Sequence, residues 1–217
     1  MTYNQQFFAT ATLLLLLSLN KPTTAQSVKI GTQTWTSKNL DVTAFRNGGS
    51  ISYAKSAEDW ILLARYKMPA WCYAKFDSVA GKKYGLLYNF YAVNSPSGLA
   101  PSGWHIPSDI EWTMLTDFLG GEDSAAVKMK SATGWQNNGT KNTNGNNKSG
   151  FNGLPVAKIF YNGTGGANYG FDGTWWTSTE ETPDRPWTRS LLYSYYGVGR
   201  NIANTKTEGL SVRCVKD

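Results

Sequence analysis

GWHIPSDIEWTMLTDFLGG, residues 103–121, carries a helix together with its start and stop signals. Ser108 precedes an apolar-periodic run and Glu111 lies three residues later, so the Ser hydroxyl can accept from the Glu amide while the Glu carboxylate reaches back. This capping box predicts a helix over Asp109 to Leu119 with Trp112, Leu115, Phe118 and Leu119 on one core-facing stripe. Gly120 and Gly121 end it.

Upstream, YGLLYNFYAV, residues 84–93, places Leu87, Tyr88, Tyr91 and Ala92 on one helical face. A helix is the reading taken, although the aromatics also suit a strand. Pro96, Gly98, Pro101 and Gly103 end it. Earlier, Ala57, Trp60, Ile61 and Ala64 recur at helical spacing, so Ser56 to about Lys67 reads as a short helix capped by Ser56. From Val28 the sequence VKIGTQTWTSKNL alternates apolar and polar residues, as an opening strand or hairpin does.

Downstream, a second helix is expected from about Asp123 to Lys130. QNNGTKNTNGNNK, residues 136–148, has no apolar residue and reads as a long exposed loop. Strand-like runs follow at Phe151–Tyr161, Thr174–Ser178, Ser190–Val198 and Gly209–Val215. Strands at both ends with helices in the middle indicate an α+β fold rather than alternating α/β. Composition agrees: 14% aromatics and 22 Gly point to short elements and long loops, not to a helical bundle.

The first residues, MTYNQQFFATATLLLLLSLNKPTTAQ, contain an apolar block from Phe7 through Leu19 followed by Thr23, Thr24 and Ala25. The block is shorter than the roughly 18 residues that span a bilayer, so residues 1–25 read as a secretory signal peptide and 26–217 as a single exported domain. No Lys or Arg precedes the block, which departs from the usual signal. No membrane span is expected after cleavage, and the expected location is extracellular, cell-surface or periplasmic. The net charge of +6 is scattered in pairs such as Lys82 and Lys83, without a basic stripe or a nucleic-acid motif, so nucleic acid is not an expected partner.

Cys72 and Cys214 are the only two cysteines. An oxidising compartment favours a disulfide between them, closing a loop of roughly 140 residues and worth about 4 to 5 kcal/mol in the chain-entropy model. The alternative is two separately buried thiols.

Five segments stand in register with one family: YGLLYNFYAV, LAPSGWHIPSDIEWTMLTDFLGGE, KSGFNGLPV, WWTSTE and GLSVRCVKD. In their order and spacing the chain resembles the Fibrobacter succinogenes major paralogous domain family over nearly the whole exported part. The resemblance implies a secreted or surface-associated bacterial protein without an established biochemical activity. Many members that it resembles carry cysteine immediately before PSGWH, where this chain has Ala100; if that cysteine is the usual partner of the terminal one, either Cys72 substitutes for it or Cys214 is unpaired. More distantly, PSDIEW before an amphipathic helix and a closing VRC strand look like the corresponding helix and strand of formylglycine-generating enzymes. That likeness implies a C-type-lectin-like architecture of small twisted antiparallel sheets, two or three helices and long irregular loops, with both chain ends meeting in one sheet. Fold does not carry function with it.

Chemistry-bearing patterns are sparse. Formylglycine-type chemistry requires a local thiol pair that Cys72 and Cys214 do not supply. The single histidine, His105, lies between Trp104 and Ile106, where a half-buried structural imidazole is favoured over a general base. HExxH, GxSxG and P-loop patterns do not occur. Glu180, Glu181 and Asp184 near Trp175, Trp176 and Trp187 could bracket a sugar, but a solvated acidic loop is the plainer reading. Lectin-type EPN or WND calcium signatures do not occur, so no metal and no cofactor is expected.

The aromatic cluster is the best sequence-level candidate for a binding surface. Trp187, Tyr193, Tyr195 and Tyr196 are the candidate ligand-binding residues, since rings stack on sugar faces or anchor a protein. In an extended strand Tyr193 and Tyr195 would face one way and Tyr196 the other. Trp175 or Trp176 is expected in the core. The expected function is a non-catalytic binding module for a glycan or a surface protein. The alternatives are a degenerate formylglycine-generating-like or glycan-acting enzyme, and a structural component of the envelope.

Overall fold

The computed structural model describes residues 26–139, 141–166, 169–203 and 205–217. The signal expected over 1–25 lies outside them. Strands β1 (Ser27–Ile30) and β2 (Gln33–Thr36) form a hairpin whose turn uses the left-handed backbone of Gly31, φ 60°. Then come β3 (Ser52–Tyr53), α1 (Ala57–Arg65), β4 (Ala70–Cys72), a 3₁₀ turn at Ala74–Phe76 and α2 (Ser78–Tyr84). The middle of the chain holds β5 (Leu87–Tyr88), α3 (Phe90–Val93), β6 (Trp104–His105), α4 (Asp109–Phe118) and α5 (Ala125–Met129). It closes with β7 (Asp172–Thr182), β8 (Arg185–Leu192), β9 (Val198–Ile202) and β10 (Val215–Lys216).

The fold is α+β, built on small sheets ordered β1-β2-β10-β6, β3-β4-β5 and β7-β8-β9. Pairing is antiparallel except between β3 and β4. Both ends of the domain meet in the first sheet, where Val215 pairs with Trp35 on one side and His105 on the other.

Helix α4 forms as its capping box requires: the Ser108 hydroxyl accepts from the Glu111 amide, and the Glu111 carboxylate accepts from the Ser108 amide at 2.8 Å. Trp112, Leu115, Thr116 and Leu119 are its buried face. Phe118, expected on that stripe, is 64% exposed. At about 100° per residue it falls well off the line through 112, 115 and 119, and joins Ile110 and Met114 on the outer face.

Residues 84–93 do not form one helix. Gly85 turns with φ 83°, Leu87 and Tyr88 pair with β4, and Asn89 caps the short α3 by accepting from the Ala92 amide. Their aromatic and leucine side chains fit a buried three-stranded sheet better than a solvent-facing helix. Phe151–Tyr161 is likewise no strand. It makes single bridges, Gly153 to Lys130 and Ile159 to Gly165 and Gly209. Ser190–Val198 contains the end of β8, a turn, and the first residue of β9.

Trp175 and Trp176 are both fully buried and enter different clusters, because consecutive residues of a strand face opposite sides. Trp175 packs with Trp35, Trp112 and Phe151; Trp176 packs with Phe90 and Tyr88.

The expected disulfide is not formed. Cys72 and Cys214 are both free and buried, Cys72 among Trp60, Leu87 and Ile159, and Cys214 in the cluster of Tyr88, Trp176 and Val212. A bridge needs Cβ atoms about 4 Å apart. Each thiol instead fills space in its own cluster as a small apolar group. Burial raises both thiols, that of Cys214 to about 12 and that of Cys72 well above its ordinary value.

Candidate ligand-binding cleft

The register of β7, β8 and β9 sorts their side chains onto two faces. Trp175, Arg189 and Arg200 stand opposite one another on one face, with Gly173, Leu191 and Val198 beside them. This face packs on α4 through a buried ion network. Arg189, with no exposed side-chain surface, donates to Asp109 Oδ1 at 2.7 and 3.1 Å, to the Asp109 carbonyl, to Thr113 Oγ1 and to Glu122. Arg200 holds the other Asp109 oxygen at 2.8 Å. The charge at the start of α4 is therefore neutralised by two strands, which locks the sheet to the helix.

The opposite face is hydroxyl-rich. Thr174 stands opposite Ser190, Trp176 opposite Thr188, and Thr188 opposite Asn201, so alternate residues of three strands line one concavity. Lys158, Asp172, Leu192, Ile202, Ala203 and Glu208 complete a cleft of about 230 Å³. Within it the Asn201 amide donates to Ser190 Oγ at 3.1 Å, and the Thr188 hydroxyl donates to the Asn201 carbonyl at 3.1 Å. The Thr174 hydroxyl reaches the Asp172 carboxylate at 3.4 Å. Burial lifts the Asp172 carboxyl above its ordinary value, and nearby Lys158 and Thr174 offset this only in part. A sheet face normally hides apolar residues, so hydroxyls, an amide, carboxylates and an ammonium in one depression are a site that can hydrogen-bond a polar ligand.

Residues 28–216 match the model of the Fibrobacter succinogenes major domain. The chain belongs to the Fibrobacter succinogenes major domain family. No curated protein and no solved structure matches it.

The motifs by which this member of the Fibrobacter succinogenes major domain family resembles its relatives meet in space. Arg213, of the closing segment, is fully buried and donates to Asn39 Oδ1, to the Thr36, Phe151 and Asn152 carbonyls, and lies 4.4 Å from the Phe151 ring centre. Asn39 Oδ1 also accepts from the Trp175 indole at 2.8 Å. Burial lowers the Arg213 guanidinium to about 9.

The aromatic residues singled out in the sequence do not gather on one platform. Trp187 is half-buried on the α4-facing side of β8, with the Arg200 guanidinium 3.8 Å from its ring centre. Tyr193 is half-buried edge-on against Phe171. Tyr195 and Tyr196 are exposed in the turn between β8 and β9, at 46% and 57%. Five residues of extended chain, roughly 17 Å, separate Trp187 from Leu192 at the end of β8 next to that turn. Lys130, itself buried, donates to the Tyr195 carbonyl at 2.9 Å and lies 5.0 Å from the Trp135 ring centre.

His105 is engaged at both ring nitrogens, by Glu111 and by Asp217, each at 2.7 Å. Burial draws its pKa down, but the hydrogen bonds and charges of the two carboxylates outweigh it and the net shift is upward. Glu180 pairs with Lys206 at 2.7 Å and accepts from Asn94. Among the described residues no group of three or more His, Cys, Asp or Glu could hold a metal ion, and no helix is long and apolar enough to cross a membrane.

The cleft residues gave little signal in the sequence. Thr174, Thr188, Ser190 and Asn201 are common strand and turn residues, and only the pairing register places them together. The available hint was the alternation of Asp172 and Thr174 with Gly173 and Trp175; Thr188, Arg189 and Ser190 are polar in succession and do not alternate.

Proposed function

We propose that this protein is an exported, non-catalytic binding module whose cleft on the β7-β8-β9 sheet takes a sugar unit of a surface glycan. The observation that carries the reading is the hydroxyl and amide lining of that cleft. The Thr188 oxygen and the Asn201 side-chain carbonyl present acceptor positions, and the Ser190 hydroxyl keeps its hydrogen to donate. Sugar hydroxyls both donate and accept, so they match such a surface. The two thiols are buried with raised pKa values and His105 is held between two carboxylates, which favours a binding role over thiol or imidazole chemistry.

A protein partner is the second reading, favoured by the outer stripe of α4. There Ile110, Met114 and Phe118, spaced four residues apart, are 73%, 47% and 64% exposed, and Met114 and Phe118 border a groove beside the β1-β2 turn.

A binding screen of the intact protein against glycans and envelope extracts separates these readings. Glycan binding is expected, with at least a tenfold loss in Ser190→Leu, which fills the cleft. Binding that survives Ser190→Leu and is lost in Met114→Asp belongs to the protein reading. Turnover of a bound glycan without added cofactor would contradict the non-catalytic assignment.

A further inference from the structure

The cleft carries charged groups as well as hydroxyls. Two carboxylates, Asp172 and Glu208, line it against one ammonium, Lys158, whose Nζ lies 5.0 Å from the Phe160 ring centre. Among the described residues Asp172 has no ion-pair partner within 4.0 Å. Its hydrogen bond, from Thr174, is long at 3.4 Å. Elsewhere in this protein the acids that face the interior are matched: Asp109 by Arg189 and Arg200, and Glu111 by His105 and the Ser108 amide. Asp172 stands apart in facing a cleft with its nearby cation, Lys158, beyond ion-pair distance.

We infer that the sugar unit this cleft selects is an amino sugar with a free ammonium group, held by Asp172 while Thr188, Ser190 and Asn201 take its hydroxyls. This rests on the glycan reading above and narrows it. A partly buried carboxylate whose nearest cation, Lys158, stays beyond ion-pair distance is costly when ionised, and a ligand ammonium lowers that cost by making the direct charge-assisted bond the fold leaves open. A neutral sugar makes the hydroxyl contacts alone. An N-acetylated sugar loses the positive charge and adds an acyl group to a small cleft. The raised carboxyl of Asp172 is consistent with this division, and it sets the pH dependence: amine binding weakens as pH falls through the Asp172 pKa, because the protonated carboxyl no longer attracts a cation.

The test is a titration of the intact protein, followed by amide and side-chain NMR shifts at neutral pH. The probes are glucosamine, glucose, N-acetylglucosamine and lysine amide. Glucosamine is expected to bind at least tenfold more tightly than glucose or N-acetylglucosamine, a ratio typical of one charge-assisted hydrogen bond. Asp172→Asn is expected to lower glucosamine affinity at least tenfold. The comparison among ligands on the unmodified protein decides the matter even where the variant folds poorly. Equal affinity for glucose and glucosamine, or tighter binding of N-acetylglucosamine, overturns the amine selection and leaves the glycan reading standing. Lysine amide binding as tightly as glucosamine overturns the sugar assignment, and no binding by any of the three sugars overturns both.

Discussion

Lys130 carries its ammonium in the interior, with the Tyr195 carbonyl as acceptor and the Trp135 ring beside it. Burial lowers it to about 8. Because the folded form binds this proton less readily than an unfolded lysine does, the contribution of Lys130 to stability rises as pH climbs from about 8 toward the unfolded value of about 10.4. By thermal unfolding, the stability of the wild type relative to Lys130→Met is expected to increase over that range; a difference that stays constant with pH would mean the side chain titrates normally. The thiols make a second expectation at this scale. A thiol-specific reagent is expected to find none reactive in the native protein and two after unfolding without reductant, since both are buried and free. A count of zero after unfolding would establish a bridge. Neither feature was legible beforehand: the compartment argument sees two cysteines and an oxidising solvent, but not that they serve different clusters.

Helix α4 shows what local sequence does and does not determine. Its capping box and glycine stop were readable because they depend on neighbours within four residues. Removing the box by Ser108→Ala is expected to cost about 1 kcal/mol, read as a lower denaturant midpoint at unchanged slope. A negligible shift would show that the Arg189 network alone holds the helix start. The helix is also tied to the chain terminus through His105, between Glu111 and Asp217. With its folded pKa raised, that contribution is fully present below about 6.5 and fades as pH rises through the folded value. An NMR titration of His105 is expected to give a midpoint above 6.5, and His105→Gln to flatten the decline in stability; a midpoint at or below 6.5 would contradict the clamp. By contrast, residues 84–93 and 151–161 were misread because their periods are ambiguous over so few residues. Pairing with β4 and bridging to residues far away decided them. Phe118 was misplaced by a rotation that three buried neighbours determine.

Across the whole molecule, Arg213 joins segments that lie far apart in sequence: Thr36 and Asn39 near the start of the domain, Phe151 and Asn152 in its middle, and the closing strand. Arg213→Ala strands several buried carbonyls at once, so a loss of at least about 3 kcal/mol of unfolding free energy is expected. A loss under about 1 kcal/mol would show that the three segments pack without it. The α+β class was legible from element order, and the meeting of the two ends of the domain was implied by the distant likeness to formylglycine-generating enzymes. The cleft was not, since it exists only in the register of three strands whose residues are individually unremarkable. That cleft is the centre of the functional account, and mapping where a saturating glycan ligand perturbs backbone and side-chain NMR signals tests it most directly. The largest shifts are predicted at Thr174, Thr188, Ser190 and Asn201; shifts confined to the Tyr195–Tyr196 turn, or to the outer face of α4, would contradict it.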